Sequence, residues 1–203
     1  MARRPPGQLR ADILDATTAL LRERLDPALV SIDAVVSAVG CSPPALYYYF
    51  PTKEHLLWEA CRAQYADFSA DLQAMTPTTD DPREDLRARG LAYLTWAREH
   101  PAAYRVLFMT RLDLSDPDAP EAPDPGASPD FHDVPGLGDL VRDLERAAAA
   151  GHPVGDVNLA AFSLWAIVHG FASLSVTEPA IPVAFLEAGL HRATVGLIPP
   201  RQP

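Results

Sequence analysis

With 203 residues, of which 48% are hydrophobic and 22% are charged, the chain can bury one substantial core, or a small domain joined to a larger one. This composition excludes an intrinsically disordered protein. The first ten residues contain no apolar run typical of a signal peptide, and we expect a cytoplasmic protein.

The net charge of −10 is unevenly distributed along the chain. Residues 1–62 contain seven basic and seven acidic side chains, so the whole excess of negative charge lies in residues 63–203. An acidic region repels nucleic acid, and it is compatible with DNA binding only when it faces away from the duplex. The distribution therefore permits DNA binding by the N-terminal region without establishing it.

The predicted helices begin near the N-terminus. Residues Gln8 to Arg24 carry apolar side chains at three- and four-residue steps, which is the spacing of an amphipathic helix. An Asp-Pro pair ends this pattern. Ser31 is suited to cap a short helix from Ile32 to Val39, and Gly40 is suited to end it.

A second short helix is predicted directly afterwards. Ser42 stands at its N-cap position, and two prolines occupy its first turn, where backbone N–H groups have no intrahelical partner. The helix is expected to run to about Phe50. A Pro-Thr pair then interrupts the pattern, and a long helix with one apolar face starts at Lys53.

The rest of the chain is also predicted to be helical, and no stretch alternates as a strand requires. The further helices are Pro82–Arg98, Pro101–Arg111, Leu137–Ala150, Gly155–Ser175 and Pro179–Gly196. We therefore predict an all-α fold of about nine helices, with a three-helix domain at residues 1–52 and a larger helical domain at residues 53–203.

One predicted helix resembles a membrane span in composition. Residues 157–177 carry no formal charge and approach the length of a membrane span. Polar side chains interrupt the segment, however, and no cluster of Lys or Arg flanks it. We interpret it as a helix buried between protein surfaces, and we expect no membrane association.

A segment rich in proline and acidic residues separates two of the predicted helices. Residues 116–130 contain five prolines, five acidic residues and no basic residue. Such a segment cannot bury enough apolar surface to order itself, so we expect a mobile loop over residues 113–136. The loop is either a lid over a ligand entrance or a solvated insertion.

The two short helices have the organisation of a DNA-reading helix-turn-helix. A three-residue turn, Gly40 to Ser42, joins them, and the first helix presents an apolar face that can brace the second. No charged residue occurs from Cys41 to Thr52, so nothing on the second helix repels a phosphate group.

Three consecutive tyrosines and one lysine are candidate phosphate contacts. Tyr47, Tyr48 and Tyr49 are about 100° apart around a helix, so at least one phenol must point outward, where it can donate to a phosphate oxygen. Lys53 is the single lysine among seventeen basic residues. It lies in the first turn of the next helix, where helix N–H groups and a cation can hold one phosphate. Composition alone would also account for one remaining lysine.

The segments just described resemble the DNA-binding domain of the TetR (tetracycline-repressor) family of regulators. This chain has Tyr49 where the family often has His, Ser31 where it often has Thr, and Pro44 where it often has Gly. The matching segments are Ile13–Ala16, Val30–Ile32, Val39–Ser42 and Ala45–Glu54.

The resemblance implies a DNA-binding domain at residues 1–52 and a ligand-binding and dimerisation domain at residues 53–203. It implies that Pro43 and Pro44 face base edges and make apolar contacts, such as those with thymine methyl groups. It also implies DNA contacts, mostly with phosphates, by Ser31, Ser42, Tyr47, Tyr48, Tyr49 and Lys53.

Other residues of the N-terminal domain have less specific roles. We interpret Leu46 and Phe50 as core residues. Arg3, Arg4 and Arg10 form either a basic arm that reaches an adjacent groove or an untethered tail.

A single helix-turn-helix makes few contacts, so useful affinity requires two copies, about 34–36 Å apart on a near-palindromic site. A four-helix interface between the last two helices of each copy is expected, with small residues such as Gly189 permitting close approach. The expected interface residues are Val183, Leu186, Leu190, Ala193 and Leu197.

The segment from Trp165 to Gly170 resembles the Trp-x-x-x-His-Gly signature of one C-terminal domain class of this family. His169 is either a polar ligand contact in an apolar pocket or a hydrogen-bonded core histidine beside a close helix crossing at Gly170. The other candidates for an aromatic-lined pocket are Trp96, Tyr104, Phe108, Trp165 and Phe171.

The sequence therefore predicts a repressor that binds a palindromic operator as a homodimer and is released by an apolar or aromatic small molecule. A redox sensor that uses Cys41 or Cys61 is the alternative. We expect no enzyme, because no catalytic motif occurs, and no metal or cofactor, because the histidines and cysteines lack ligand spacing.

Overall fold

The computed structural model describes residues 7–109, 131, 132, 134 and 136–200. Within these residues it has nine α-helices and no β-strand, which confirms the predicted all-α fold. Arg3 and Arg4 lie outside the described residues, as do residues 113–130 of the expected acidic loop.

The first three helices are α1 (Gln8–Arg24), α2 (Ile32–Val39) and α3 (Pro43–Tyr49). The ends of α2 are determined locally, because the Ser31 hydroxyl accepts a hydrogen bond from the Ala34 N–H at 3.2 Å and Gly40 adopts a left-handed conformation with φ 69°.

Ser42 is the N-cap residue of α3, but its side chain makes no capping hydrogen bond. Pro44 removes one of the two N–H groups that a cap serves, and the Ala45 N–H bonds to the Ser42 carbonyl oxygen at 3.0 Å. Ser42 therefore occupies the predicted N-cap position, but its side chain does not cap the helix.

The long helix α4 extends from Lys53 to Met75. Its start is capped by Thr52, whose hydroxyl oxygen accepts a hydrogen bond from the His55 N–H at 3.0 Å. The start of this helix agrees with the predicted one, whereas the capping role of Thr52 was not predicted.

The remaining helices are α5 (Pro82–Glu99), α6 (Pro101–Tyr104), α7 (Leu137–Ala149), α8 (Val157–Thr177) and α9 (Val183–Leu197). A π-helical turn, Arg105–Met109, follows α6. The last helix begins four residues later than expected, because Pro182 occupies its N-cap and disfavours helical geometry at the residue before it.

The described chain packs as two compact units. Residues 7–66 and 102–109 belong to the first unit, and residues 67–101 and the described residues from 131 onwards belong to the second. The division lies inside α4, whereas the functional division predicted at residue 52 stays a prediction.

Each unit has its own apolar core. In the first unit, buried residues of α1 to α4 meet in one cluster that includes Ile13, Val35 and Leu46. In the second unit, α5, α7 and α8 contribute to another cluster that includes Leu86, Leu144 and Ala161.

The second unit also contains a buried group of charged side chains. Asp85, only 1% exposed, accepts hydrogen bonds from the Thr79 N–H at 2.9 Å, the Thr79 hydroxyl at 2.8 Å and Arg146 at 2.9 Å. Asp143 pairs with Arg89 at 2.7 Å and with Arg146 at 3.6 Å. These contacts join α5, α7 and the loop that precedes α5, and they satisfy both buried carboxylates.

Two glycines on α8 and α9 have opposite environments. A Cβ atom at Gly189 would lie 2.8 Å from the Phe171 ring, so any larger residue there must displace that ring. A Cβ atom at Gly170 would meet nothing within 4 Å. The close crossing expected beside Gly170 is therefore wrong, and the close approach is at Gly189.

Among the described residues, α8 is the one helix long and apolar enough to cross a membrane by length and composition alone. Within a single chain, 28% of its most apolar window is buried. The helix thus packs on one side and leaves apolar side chains on the other.

Candidate nucleic-acid interface

The surface of interest is built from α2 and α3, joined by the turn at Gly40 to Ser42. Leu46 and Phe50 are fully buried against α1, α2 and α4, as the sequence analysis expected of core residues. Because α3 has only seven residues, these two anchors determine which of its sides faces outward.

The outward side of α3 presents rings and no acidic group. Pro43 and Pro44 are exposed, Tyr47 is 44% exposed and Tyr48 is 82% exposed. Tyr49 is half-buried against the core and makes an edge-to-face contact with Tyr48, with ring centroids 5.0 Å apart. An anionic duplex therefore meets no repelling carboxylate on this helix.

Two further predicted residues lie before α2 and after α3 in the chain. The Ser31 oxygen caps α2, which leaves the hydroxyl hydrogen able to donate to another acceptor. The Lys53 ammonium group lies 3.4 Å from the Ala28 carbonyl oxygen, and the side chain is half-buried at the start of α4. Both side chains can therefore donate a hydrogen bond to a phosphate oxygen.

A charged cluster stabilises the base of the first unit. Glu59 accepts hydrogen bonds from Arg62 at 3.1 Å and pairs with Arg10 at 3.2 Å. The Arg10 guanidinium also lies over the Phe50 ring, 5.1 Å from its centroid. Arg10 is thus part of α1 and of this cluster, which corrects its assignment to a basic arm or an untethered tail.

The residues predicted for an effector pocket are divided between the units. Tyr104 and Phe108 are in the first unit, where Phe108 contacts both Tyr104 and Tyr65, with ring centroids 5.2 and 5.7 Å apart. Burial raises the pKa of Tyr65 to about 12 and the pKa of Tyr104 further, so both phenols stay protonated.

The other four residues predicted for the pocket are in the second unit, and two of them have a hydrogen-bond partner described here. The four are Trp96, Trp165, His169 and Phe171. The Trp96 indole N–H donates to Asp71 at 3.0 Å, and His169 Nδ1 lies 3.1 Å from the Tyr93 hydroxyl. Burial lowers the pKa of His169, which favours the neutral imidazole.

The aromatic side chains around His169 form a continuous array. Trp165 stacks on His169 with centroids 5.2 Å apart, and Phe68 packs edge-to-face on both Tyr93 and Trp96 at 5.2 and 4.7 Å. Phe68 and Tyr93 were not predicted, because only the tertiary structure brings Tyr93 to His169 and Phe68 to Tyr93. Tyr93 is thus the hydrogen-bond partner that a core histidine requires.

The predicted interface on α9 needs correction. Leu186 and Leu190 are 2% exposed, so they belong to the core of the second unit and not to an outer face. Large apolar side chains are exposed elsewhere: Phe185 on α9 at 71% and Leu159 on α8 at 65%, with Phe162 and Leu174 also exposed. Leu159, Phe162 and Leu174 are three and twelve residues apart, which places them on one side of a helix, and this spacing was the signal available in the sequence.

The two cysteines differ in environment. Cys61 is buried, and burial raises the pKa of its thiol to about 11, so the reactive thiolate is rare. Cys41 is partly buried in the turn between α2 and α3. Within the described residues, no three His, Cys, Asp or Glu side chains are grouped as a metal site requires.

Two short helices on an apolar base, the second with a ring-rich and acid-free outer surface, define a helix-turn-helix DNA-binding protein. A family model described as bacterial regulatory proteins, tetR family, matches residues 13–60. A second, described as a tetracyclin repressor-like C-terminal domain, matches residues 86–194, more than half of the chain. The chain belongs to the TetR family. The narrower Trp-x-x-x-His-Gly class stays a prediction.

Curated relatives agree with this assignment. An uncharacterized HTH-type transcriptional regulator of Mycobacterium tuberculosis, found in two strains, is 30% identical over 105 residues. The match covers 51% of this chain and 52% of the relative, so the chain spans about half the length of the curated relatives it matches.

Solved structures share the fold. A fatty acid degradation regulator of Bacillus halodurans has a TM-score of 0.69 at 14% identity, with 95% of this chain and 96% of that chain covered. A TetR-like transcriptional regulator of Rhodococcus sp. RHA1 has a TM-score of 0.61 at 19% identity, with 96% and 98% covered.

Proposed function

We propose that the protein is a ligand-responsive transcriptional repressor, which binds a palindromic operator as a homodimer and is released by a small-molecule effector. The observation that carries this proposal is the exposed, acid-free surface of α3, anchored by the buried Leu46. A rigid helix with such a surface can enter the major groove without electrostatic repulsion. The proposed place of action is the cytoplasm.

The proposed DNA contacts are those of the exposed surface and its flanks. Hydroxyl groups and the Lys53 ammonium group would bind phosphates, and the proline rings would face base edges. Tyr49 would contribute less than Tyr48, because half of it packs on the core. The full set is Ser31, Ser42, Pro43, Pro44, Tyr47, Tyr48, Tyr49 and Lys53.

The experiment that tests DNA binding is selection of genomic fragments by the purified full-length protein. We expect the recovered sites to contain an inverted repeat whose half-sites are about one helical turn apart. Tyr48→Phe, which removes only the hydroxyl, should weaken binding by about five-fold if the phenol donates to a phosphate. A protein that prefers no duplex sequence in low-salt buffer would overturn the repressor proposal.

The proposed homodimer uses the exposed apolar side chains of α8 and α9. The two helices pack against each other within one chain, and both present large apolar groups outward. Soluble proteins seldom leave such side chains uncovered, and a second copy would cover them symmetrically. The same covering would account for a charge-free helix that is only partly buried in one chain.

Sedimentation velocity of the purified protein tests the dimer. The double variant Leu159→Glu and Phe185→Glu should sediment as a monomer, because two charges would be buried in an apolar interface in each copy. Met75→Glu is the matched control, since Met75 is an exposed apolar residue outside α8 and α9. A double variant that remains dimeric at the same concentration would refute this interface.

The proposed effector is a small apolar or aromatic molecule. The long helix α4 starts directly after α3, and its C-terminal part contacts Trp96 through Phe68 and Asp71. We propose that effector binding changes the angle of α4. The two helix-turn-helix segments of the dimer would then no longer match the spacing of the operator half-sites. An effector acts in this way only as far as it prefers the state that cannot bind DNA.

Effector control is tested by release of a labelled operator in the presence of planar and apolar compounds. Redox control is separated by the same assay after peroxide treatment, with Cys41→Ser as the control variant. The buried Cys61 is disfavoured as a sensor because its thiol stays protonated. Release by peroxide in the parent protein but not in Cys41→Ser would favour the redox alternative.

A further inference from the structure

Phe50 ends α3 and is fully buried in the first unit. A helix of seven residues is too short to be stable by itself, so α3 takes its direction from the residues that hold its buried side chains. Leu46 is held inside the core. Phe50 is held in part by a charged side chain, because the Arg10 guanidinium lies over its ring, 5.1 Å from the centroid.

Arg10 links α1 to two other elements. Its guanidinium also pairs with Glu59 of α4, at 3.2 Å. A guanidinium is planar, so it can lay its face on an aromatic ring and direct its N–H groups towards a carboxylate at the same time. One side chain of α1 thus joins the end of α3 to α4.

The carboxylate of Glu59 keeps Arg10 in place. Its side chain is only 13% exposed, so solvent screens this pair less than it screens a pair on the open surface. Glu59 also lies 3.9 Å from His55 Nε2, and the centroids of the His55 and Phe50 rings are 6.1 Å apart. Two side chains beside Phe50 therefore interact with the same carboxylate.

We propose that Arg10 is a positioning residue for operator recognition, which fixes the direction of α3 through Phe50 and is itself held by Glu59. This inference rests on the proposed function, in which α3 enters the major groove. Arg10 then affects DNA binding without touching DNA, because α3 has the correct direction only while the Arg10–Glu59 pair is formed. A phosphate contact by Arg10 would instead strengthen binding to every duplex alike.

The test compares binding to an operator with binding to a random duplex by the full-length protein. Arg10→Gln removes the cation and keeps a polar side chain at the position. Fluorescence anisotropy at several salt concentrations gives the affinities for a selected operator and for a scrambled duplex. We expect the ratio of the two affinities to fall about five-fold, a typical coupling between contacting residues. The salt slope should stay as in the parent protein, because no phosphate contact is lost.

Arg62→Gln is the matched control. Arg62 pairs with the same carboxylate at 3.1 Å, but it lies over Trp58 of its own helix, 5.2 Å from the ring centroid. The control variant therefore makes the same change of charge beside Glu59 and keeps the cation over Phe50. Its affinity ratio should equal that of the parent protein. Arg10→Lys keeps the charge without the planar group and should give an intermediate ratio.

Glu59→Gln tests whether the carboxylate acts through Arg10. Alone it should lower the affinity ratio, but in the Arg10→Gln background it should lower the ratio little further, because the pair is already lost. Thermal denaturation checks that each variant is folded. If Arg10→Gln does not fold, Arg10→Lys provides the same comparison with the charge retained.

The outcomes separate positioning from other roles of Arg10. An affinity ratio in Arg10→Gln equal to that of the parent protein would overturn the inference, even where the variant melts at a lower temperature. A salt slope lower by about one would also overturn it and make Arg10 a phosphate contact. Effects of Arg10→Gln and Glu59→Gln that simply multiply would refute the role of the pair. No preference of the parent protein for any duplex would overturn the proposed function itself.

Discussion

The two units of this protein differ in what they bury and in what they expose. The buried polar groups of the first unit are neutral, Thr17 and Gln64, whereas the second unit buries the carboxylates of Asp85 and Asp143. Outside, the first unit presents exposed tyrosines on α3, and the second presents apolar side chains on α8 and α9. The surface of the first unit thus suits contact with DNA, and the surface of the second unit suits contact with another protein.

The comparison also indicates where the stability of each unit originates. The charged cluster of the first unit includes arginines whose side chains are 42% and 64% exposed, whereas the second unit depends in part on a buried charged network that is sensitive to the loss of any member. Substitutions in the network should therefore cost more than substitutions of exposed charges nearby.

The largest effect is expected for Asp85→Ala. Removal of this carboxylate leaves the Thr79 N–H without its buried acceptor and takes one acceptor from Arg146, which should destabilise the protein by about 2–3 kcal/mol. Glu84→Ala is the matched control, because Glu84 is exposed and pairs with Arg87 on the surface. It should cost less than about 1 kcal/mol. Urea denaturation of the two variants measures the difference, and equal losses would contradict a special role for the network.

The close approach of α8 and α9 gives a second, smaller effect. Gly189→Ala places a methyl 2.8 Å from the Phe171 ring and should destabilise the protein by about 1–3 kcal/mol. Phe171→Leu supplies the control, because it removes the ring that the new methyl would meet, so Gly189→Ala should cost less in that background. Thermal denaturation compares them, and a neutral Gly189→Ala would show that the helices separate easily.

Titration of His169 should make the stability of the second unit fall in acid. Its pKa is lowered by burial, so the unfolded chain, with an ordinary histidine pKa near 6.5, binds the proton first as pH falls. Stability should therefore decrease below about pH 6.5, by at most about 1.4 kcal/mol per pH unit for this one group. His169→Gln should flatten that part of the pH profile in urea denaturation. An identical profile in the variant would assign the acid sensitivity to other groups.

The smallest effect concerns phosphate binding by the first unit. Lys53→Ala should weaken binding to operator and random DNA alike and reduce the salt dependence by about one counterion. Lys53→Arg keeps the cation and should keep the slope. Anisotropy titrations at several salt concentrations measure both, and an unchanged slope in Lys53→Ala would show that Lys53 does not contact a phosphate.

Much of the fold was predictable because its signals are local. The ends of α1 and α2 agree with expectation to the residue, since a capping serine and a left-handed glycine determine α2 without reference to distant parts. The orientation of α9 was not predictable in this way. Apolar residues lie on more than one side of it, and only packing against neighbouring helices decided that Leu186 turns inward and Phe185 outward.

The candidate interface shows the same limit. The helix-turn-helix was recognisable from short-range order and spacing, and its buried residues Leu46 and Phe50 were predicted correctly. Pairs such as Tyr93 with His169 were not predictable, because 76 residues of chain separate them and neither residue type indicates the other.

The two prolines at the start of α3 also affect how the protein would search for its site. They deprive that end of the helix of N–H groups, so any contact of α3 with the phosphates of an arbitrary duplex must come from its side chains. With a chain charge of −10, encounters with unrelated DNA should be brief. The protein would then be bound to the chromosome mainly at matching sequences. A small number of protein copies could suffice to occupy these sites.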